Sequence, residues 1–276
     1  MPTLEKRSFP TLLGDLKHKD AISLNYAELL KRTECIQITV SPEEVDNVEV
    51  ATRKQADYKL WNEFRAGRIT ASKMKKVFST DPANPSQSLI MSVCYPSRQN
   101  VSNSATEWGV KNEAVARRAF INKMTEEELH INLDVDECGL FISEEKPFMA
   151  ATSDGIVQCD CCKPHFLEIK YPFFHRKDRL DQEFPNFYLV KSEDDKLQLN
   201  KSHEYYYQVQ TQLGVAKLQT AYFVVYTEVV NMLRKFNLII ICGTRCAVEQ
   251  RNSSSLLCYQ SLLENFIPAF PEMTFP

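Results

Sequence analysis

The sequence predicts an α/β (α+β) fold, a mixed central β-sheet flanked by helices, and three observations carry that reading. Apolar residues follow a helical spacing in some segments and a strand-like pattern in five others. These segments run in the order helices, three strands, helix, strand, strand, helix, which suits one sheet covered by helices. The 276 residues, 43% hydrophobic and 25% charged, are enough for a substantial core.

Taken in order, residues 1–50 read as an N-terminal extension or linker, and residues 51–276 as the folded domain. Ser41 to Val50 is acidic, with four carboxylates in ten residues. From Thr52 to Ala66 the spacing of Tyr58, Leu60, Trp61 and Phe64 predicts a helix ended by Gly67. Thr70 is placed as the N-cap of a short helix through Val77. Asp81 to Pro96 reads as a loop with at most a turn or two of helix. Thr106 to Met124 is the clearest helix, with Glu113, Ala116, Arg117 and Phe120 at i, i+3, i+4 and i+7. Strands follow near Glu137 to Ile142, Phe148 to Gln158 and His165 to Tyr171. Lys177 to Lys201 reads as a polar loop and Ser202 to Lys217 as a helix burying Tyr206, Val209, Leu213 and Ala216. Two more strands, Thr220 to Thr227 and Phe236 to Cys242, precede a helix from Arg245 to Asn265.

Formal charge is −3, which excludes a uniformly basic nucleic-acid binder but not a local basic track. Two such stretches exist. Between Trp61 and Thr80, five Lys/Arg stand against Glu63 alone; between Lys163 and Arg179, five stand against Glu168 and Asp178. Nine cysteines, no apolar leader core after Met1 and no membrane-length apolar run predict a reducing, intracellular setting, nuclear in a eukaryote and cytoplasmic otherwise. Cys159, Cys161 and Cys162, and the pair Cys242 and Cys246, lack a Cys-x-x-Cys with a matching second half. They read as free thiols, and no structural zinc is expected.

The chemistry concentrates in two short runs, Ala150-Ala151-Thr152-Ser153-Asp154-Gly155 and Leu167-Glu168-Ile169-Lys170. In a strand, Glu168 and Lys170 project from one face while Ile169 turns to the other. A turn around Asp160 to Pro164 brings the segment of Asp154 alongside. Two carboxylates so close repel one another, and a bound divalent cation such as Mg²⁺ or Mn²⁺ keeps both ionised.

Those runs stand in order with Trp61-Asn62-Glu63-Phe64-Arg65-Ala66-Gly67-Arg68-Ile69-Thr70-Ala71-Ser72, with Glu107-Trp108-Gly109 and Glu113-Ala114-Val115-Ala116-Arg117, and with Tyr205-Tyr206-Tyr207-Gln208-Val209-Gln210. Together they closely resemble the lambda-type exonucleases, or YqaJ-type viral recombinases, of the PD-(D/E)xK nuclease superfamily. The resemblance implies a restriction-endonuclease-like core and a Mg²⁺-dependent deoxyribonuclease, with Mn²⁺ as an alternative ion. It would degrade one strand of duplex DNA from the 5′ end, leaving a 3′ single strand for recombination or repair. By the same resemblance, Asp154, Glu168, the Ile169 backbone carbonyl and Glu113 hold metal. Lys170 orients and stabilises the attacking water, and Arg65 and Gln208 grasp the DNA end and its 5′ phosphate. Thr70, Ser72 and Tyr205 line the same path, with capping or packing as the plainer reading of each. Arg68 is read as general attraction to the DNA backbone, and Trp61 as core.

The implied partners are double-stranded DNA ends, a single-strand annealing protein and two further copies of the chain in a closed ring, with no membrane. Ser153 departs from the proline common before the family's metal-binding aspartate, and Cys159 to Pro164 forms a distinctive hairpin tip. Neither removes a catalytic group. The rival readings are an endonuclease of the same superfamily and a non-catalytic DNA-binding protein keeping the fold.

Overall fold

The structure, a computed structural model, describes residues 7–16, 28, 37–55, 59–81, 85–96, 104–180, 184–228 and 237–244. The chain divides into two compact units. Among the described residues, one comprises those of Met1–Asn100 and Gly139–Thr152, the other Val101–Cys138 and those from Ser153 onward. The C-terminal helix expected over 245–265, and Cys246, lie outside the described residues.

Among the described residues the first unit includes the short helices α1 Pro42–Ala51, α2 Lys59–Arg65, α3 Met74–Phe78 and α4 Gln87–Cys94. The acidic stretch after Ser41, which reads as linker from its charge, is α1. Ser41 Oγ accepts from Glu44 N at 3.2 Å while Glu44 Oε2 accepts from Ser41 N at 2.9 Å, a reciprocal cap for the free amides of the first turn. Carboxylates at a helix N-terminus also complement its dipole. Val45 and Val48 are thereby turned inward onto Phe64, Leu140, Ile142 and Ala150.

Three strands complete this unit, β1 Ile69–Thr70, β3 Phe141–Ile142 and β4 Met149–Ala151, in the order β1–β4–β3 with β1 parallel to β4. Arg68, just before β1, is fully buried. Its guanidinium donates to the carbonyls of Pro147 at 2.9 Å, Phe64 at 2.8 Å and Thr11 at 3.2 Å. Its charge braces the backbone inside the unit instead of facing DNA.

Gly139, before β3, is fixed by proximity. Its N–H donates to Glu49 Oε1 at 3.0 Å, the Leu140 N–H donates to Thr52 Oγ1 at 2.8 Å, and a Cβ at Gly139 would stand 1.8 Å from the Glu49 carbonyl oxygen.

The second unit is a five-stranded mixed sheet in the order β10–β9–β6–β5–β2, built from β2 Asp134–Asp136, β5 Gly155–Cys159, β6 Cys162–Lys170, β9 Thr220–Thr227 and β10 Asn237–Thr244. Only β6 and β9 run parallel. The long helix α5, Ser104–Glu126, packs Ala116, Phe120 and Met124 onto Val157, Leu167, Ile169, Tyr222 and Val224. Helix α6, Glu204–Val215, faces the other side of β6, where Glu168 points. The expected polar stretch 177–201 includes a small hairpin, β7 Leu189–Lys191 with β8 Leu197–Leu199.

The apolar run 148–158 is not one strand. It divides into β4 and β5, which belong to different sheets, and Thr152 to Asp154 make the change between them. The β5–β6 turn is also tighter than expected, at Asp160-Cys161. With Val157 opposite His165 and Cys159 opposite Cys162, Gln158 alone faces Lys163 and Pro164. Proline has no N–H for a ladder, and such a bulge accommodates it inside a strand. Among the described residues no helix is long and apolar enough to cross a membrane.

Gly139→Ala must push the Glu49 backbone aside, and we expect a loss on the order of 3 kcal/mol. A thermal melt should show Tm falling by roughly 6–12 °C, whereas an unchanged Tm would mean that the contact yields easily.

Candidate active site

Asp154 stands where the chain enters β5. Its N–H donates to the Leu167 carbonyl at 2.9 Å and its Oδ2 accepts from Ile169 N at 2.6 Å, so both its backbone and its carboxylate are fastened to β6. Ser153, in place of the family's proline, is buried, and its hydroxyl donates to the Gly155 carbonyl at 2.9 Å, a hydrogen bond across the turn that a proline would stiffen by its ring. A Cβ at Gly155 would lie 2.6 Å from Val135 Cγ1, so glycine lets β2 close beside the site.

On β6, alternation places Glu168 and Lys170 together, with Leu167 and Ile169 in the α5-facing core. Lys170 Nζ donates to Glu168 Oε1 at 2.5 Å and to Gln208 Oε1 at 3.2 Å. Gln208 Nε2 donates to the same Glu168 oxygen at 2.7 Å, and Gln212 Nε2 donates to Glu168 Oε2 at 2.5 Å. One turn of α6 separates these two glutamines, which is why they reach the same carboxylate. The Tyr205 ring lies under Lys170, 4.4 Å from Nζ to the ring centroid. On α5, Arg117 Nη2 donates to the Asp154 carbonyl at 2.6 Å and pairs with Glu113 Oε1 at 3.5 Å.

The second unit thus brings together Asp154, Glu168, Ile169, Lys170, Tyr205 and Gln208, with Glu113 joined to them through Arg117. Gln212 and Arg117 complete the set beyond the residues that sequence reasoning selected. The Gln208/Gln212 spacing on a predicted helix is the signal that marks the first.

Electrostatics decide what such a site accepts. Burial, then the charge of Glu168, pushes the Asp154 carboxyl from 3.8 up to about 8, against the pull of Lys170 and the Ile169 amide. Burial alone would lower the Lys170 ammonium, yet Glu168 and Asp154 outweigh it and hold the lysine above its ordinary value. Asp154 and Glu168 offer hard oxygen donors, with the half-exposed Glu113 carboxylate beside them. This donor set fits Mg²⁺ or Mn²⁺, whose charge would let Asp154 ionise.

Arg65, Thr70 and Ser72 belong to the first unit. The Arg65 guanidinium stacks on Trp61, 3.8 Å from its ring centroid, which gives that tryptophan a second role besides packing. Burial lowers the Arg65 pKa to about 10, and its Nε has no hydrogen-bond partner among the described residues. Lys73, in the same basic stretch, is lowered to about 8 by burial and by Arg65 and Lys76. Thr70 makes no side-chain cap bond to the 3₁₀ turn Ala71–Lys73 that it precedes, and its hydroxyl lies 3.4 Å from that of the exposed Ser72. A half-buried cation with an open donor suits an anion better than it suits a core.

A family model, the YqaJ-like viral recombinase domain, matches residues 60–219. The chain belongs to this family. Among solved structures it is similar to an alkaline exonuclease (LHK-Exo) from Laribacter hongkongensis, at 21% identity over 76% of this chain and 94% of that one, with a TM-score of 0.53. LHK-Exo in complex with dAMP gives 0.54. The Shutoff and Exonuclease Protein from Kaposi's sarcoma-associated herpesvirus is 12% identical over 89% of this chain and 76% of that one, with a TM-score of 0.53. At such identities the likeness to these structures is one of fold, and it places the mixed sheet and its helices among alkaline exonuclease folds. A comparison with curated proteins found no match.

Because folded Asp154 holds its proton more tightly than the unfolded chain does, its contribution favours folding at low pH and is lost as pH rises from about 4 through about 8. A bound cation offsets that loss. Mg²⁺ or Mn²⁺ should therefore raise Tm more at about pH 8.5 than at about pH 6, and equal shifts at both would contradict the shared-cation site.

Proposed function

We propose that this YqaJ-family protein is a divalent-metal-dependent DNA exonuclease that degrades one strand of duplex DNA in the 5′ to 3′ direction. The 3′ single strand so exposed would serve an annealing partner in recombination or repair. The observation that carries the reading is the pairing of Asp154 with Glu168, the first held by the Ile169 amide and the second by the Lys170 ammonium. Asp154 and Glu168, with Glu113 and the Ile169 carbonyl, would hold Mg²⁺ or Mn²⁺. An ion held there would supply positive charge to the scissile phosphate and would lower the pKa of the attacking water.

The protein's own groups do the rest. Lys170 is held protonated, so at neutral pH it acts as a donor and a positive charge, orienting the water and stabilising it as it loses its proton. Tyr205 and Gln208 restrict where that ammonium sits. Gln212 leaves Glu168 little freedom to turn away. Arg65, with Lys73 beside it and Thr70 and Ser72 near, supplies the charge and donors for a terminal 5′ phosphate, since a guanidinium can hold two phosphate oxygens at once. Three copies closed around the duplex would keep an acidic protein on its substrate, which local basic stretches alone hold weakly at physiological salt.

The test is digestion of end-labelled linear duplex beside a covalently closed circle. Linear DNA should vanish with the circle intact; loss of the circle at a similar rate would replace this reading with an endonuclease. Asp154→Ala should abolish cleavage and Lys170→Ala should slow it by roughly 10²–10³-fold. Full activity of both variants would leave a non-catalytic DNA-binding protein as the better reading.

Arg65→Ala should remove a preference for 5′-phosphorylated over 5′-hydroxyl ends, worth about tenfold or more for one charge-assisted contact. Cleavage of the hydroxyl end should change little. An unmodified protein that cuts both ends equally would take away the role assigned to Arg65.

A further inference from the structure

The carboxylates sit at one end of the β5–β6 hairpin, and a different donor set sits at the other. We propose that His130, Cys159, Cys161 and Cys162 form a structural zinc site tying the hairpin tip to the connection between α5 and β2. Their ligand atoms all lie within 4.8 Å of one another. His130 Nδ1 is 3.4 Å from Cys159 Sγ, 3.5 Å from Cys161 Sγ and 3.4 Å from Cys162 Sγ. With Zn–S near 2.3 Å and Zn–N near 2.0–2.1 Å, the sulfur-to-nitrogen edge of a tetrahedron is about 3.5 Å. The imidazole already stands where the fourth ligand belongs.

The sulfurs are slightly crowded, Cys159 to Cys162 at 2.9 Å and Cys161 to Cys159 at 3.5 Å, against about 3.8 Å for a tetrahedral edge. A small opening of the turn accommodates the ion. A disulfide would need about 2.05 Å, and all three cysteines are free.

The surroundings are those of a prepared site. His130 Nε2 is 2.6 Å from the Tyr222 hydroxyl, an outer contact that orients the ring and leaves Nδ1 for the thiols. Asp160 N donates to the Ile131 carbonyl at 3.0 Å and Asn132 Nδ2 donates to Asp160 Oδ2 at 2.6 Å, so the loop and the tip are already joined. His165 Nε2, 3.1 Å from Cys162 Sγ, can donate to that sulfur, and its Nδ1 meets the Thr220 hydroxyl. Cys161 and Cys162 are exposed, which gives the ion a way in.

Three thiolates and an imidazole select zinc, whereas the oxygen donors around Asp154 select Mg²⁺ or Mn²⁺, so the two sites do not compete for one ion. Four protein ligands leave no open position, the mark of a structural site. The spacing Cys-x-Cys-Cys within a two-residue turn, with the histidine 29 positions upstream of Cys159, is not a sequence signature of zinc. Only the fold brings the four together.

The test is the metal content of the full-length protein, produced in zinc-supplemented medium and dialysed free of loosely held ions. One zinc per chain is expected by mass spectrometry of the metal. Cobalt exchanged into the protein should give the visible absorption of a tetrahedral thiolate site, a readout that needs no variant. His130→Ala and the Cys161→Ser/Cys162→Ser double variant should each hold less than a tenth of that zinc, while Asp154→Ala should keep all of it. Less than a tenth of a zinc per chain in the unaltered protein, a Cys159–Cys162 disulfide found by peptide mapping, or full zinc in the double variant would each overturn the proposal.

Discussion

Two carboxylates held side by side in a buried position repel each other, and the second unit is arranged around that repulsion. Asp154 is fixed by an amide of the strand that also carries Glu168, and Glu168 is fixed by an ammonium and two side-chain amides. Neither can swing away to relieve the strain, so the relief has to come from a proton or a cation. Burial of Asp154 makes the choice between the two sensitive to pH, and the neighbouring lysine tilts the field without discharging it. The apolar side of β6 does the anchoring, because Leu167 and Ile169 are locked under α5 and cannot shift without exposing the core.

Much of this was legible in the sequence, for a definite reason. Period-two alternation in Leu167-Glu168-Ile169-Lys170 determines which side chains share a face whatever the partner strands are, and the i, i+3, i+4, i+7 stripe does the same for Ala116 and Phe120. The boundaries of β9 at Thr220 and Thr227 were legible for the same reason, since a continuous apolar run leaves little choice. What periodicity does not encode is partnership. Nothing in the run 148–158 says that its two halves belong to different sheets, because both halves bury similar residues and the change is made by the three residues Thr152 to Asp154.

Charge was the second source of misreading. Arg68 and Glu49 look like solvent-facing groups by composition, yet one is enclosed by three carbonyls and the other is buried and accepts from the Gly139 N–H. In both cases short-range hydrogen bonding with the backbone overrides the usual exposure of charged residues. The capping pair Ser41 and Glu44 could have been found by its spacing. The carbonyl cage of Arg68 could not, because Thr11 and Pro147 are remote from it in the chain. His130 was hidden in the same way, lying far upstream of the cysteines it joins.

The parallel pairing of β6 with β9 has a kinetic consequence. Phe166 finds its partner at Ala221, 55 residues further on, and α6 lies in the intervening chain. During synthesis, the hairpin of β5 and β6 can close as soon as it emerges, but one edge of β6 stays unpaired until β9 has been made and the crossover has folded back. Contacts across such a long sequence separation form late, because the entropy of closing the loop is lost before the pairing rewards it. The two glutamines of α6 belong to that late-arriving crossover. Glu168 therefore acquires its two side-chain amide partners only when that crossover arrives, long after the strand that carries it has been made.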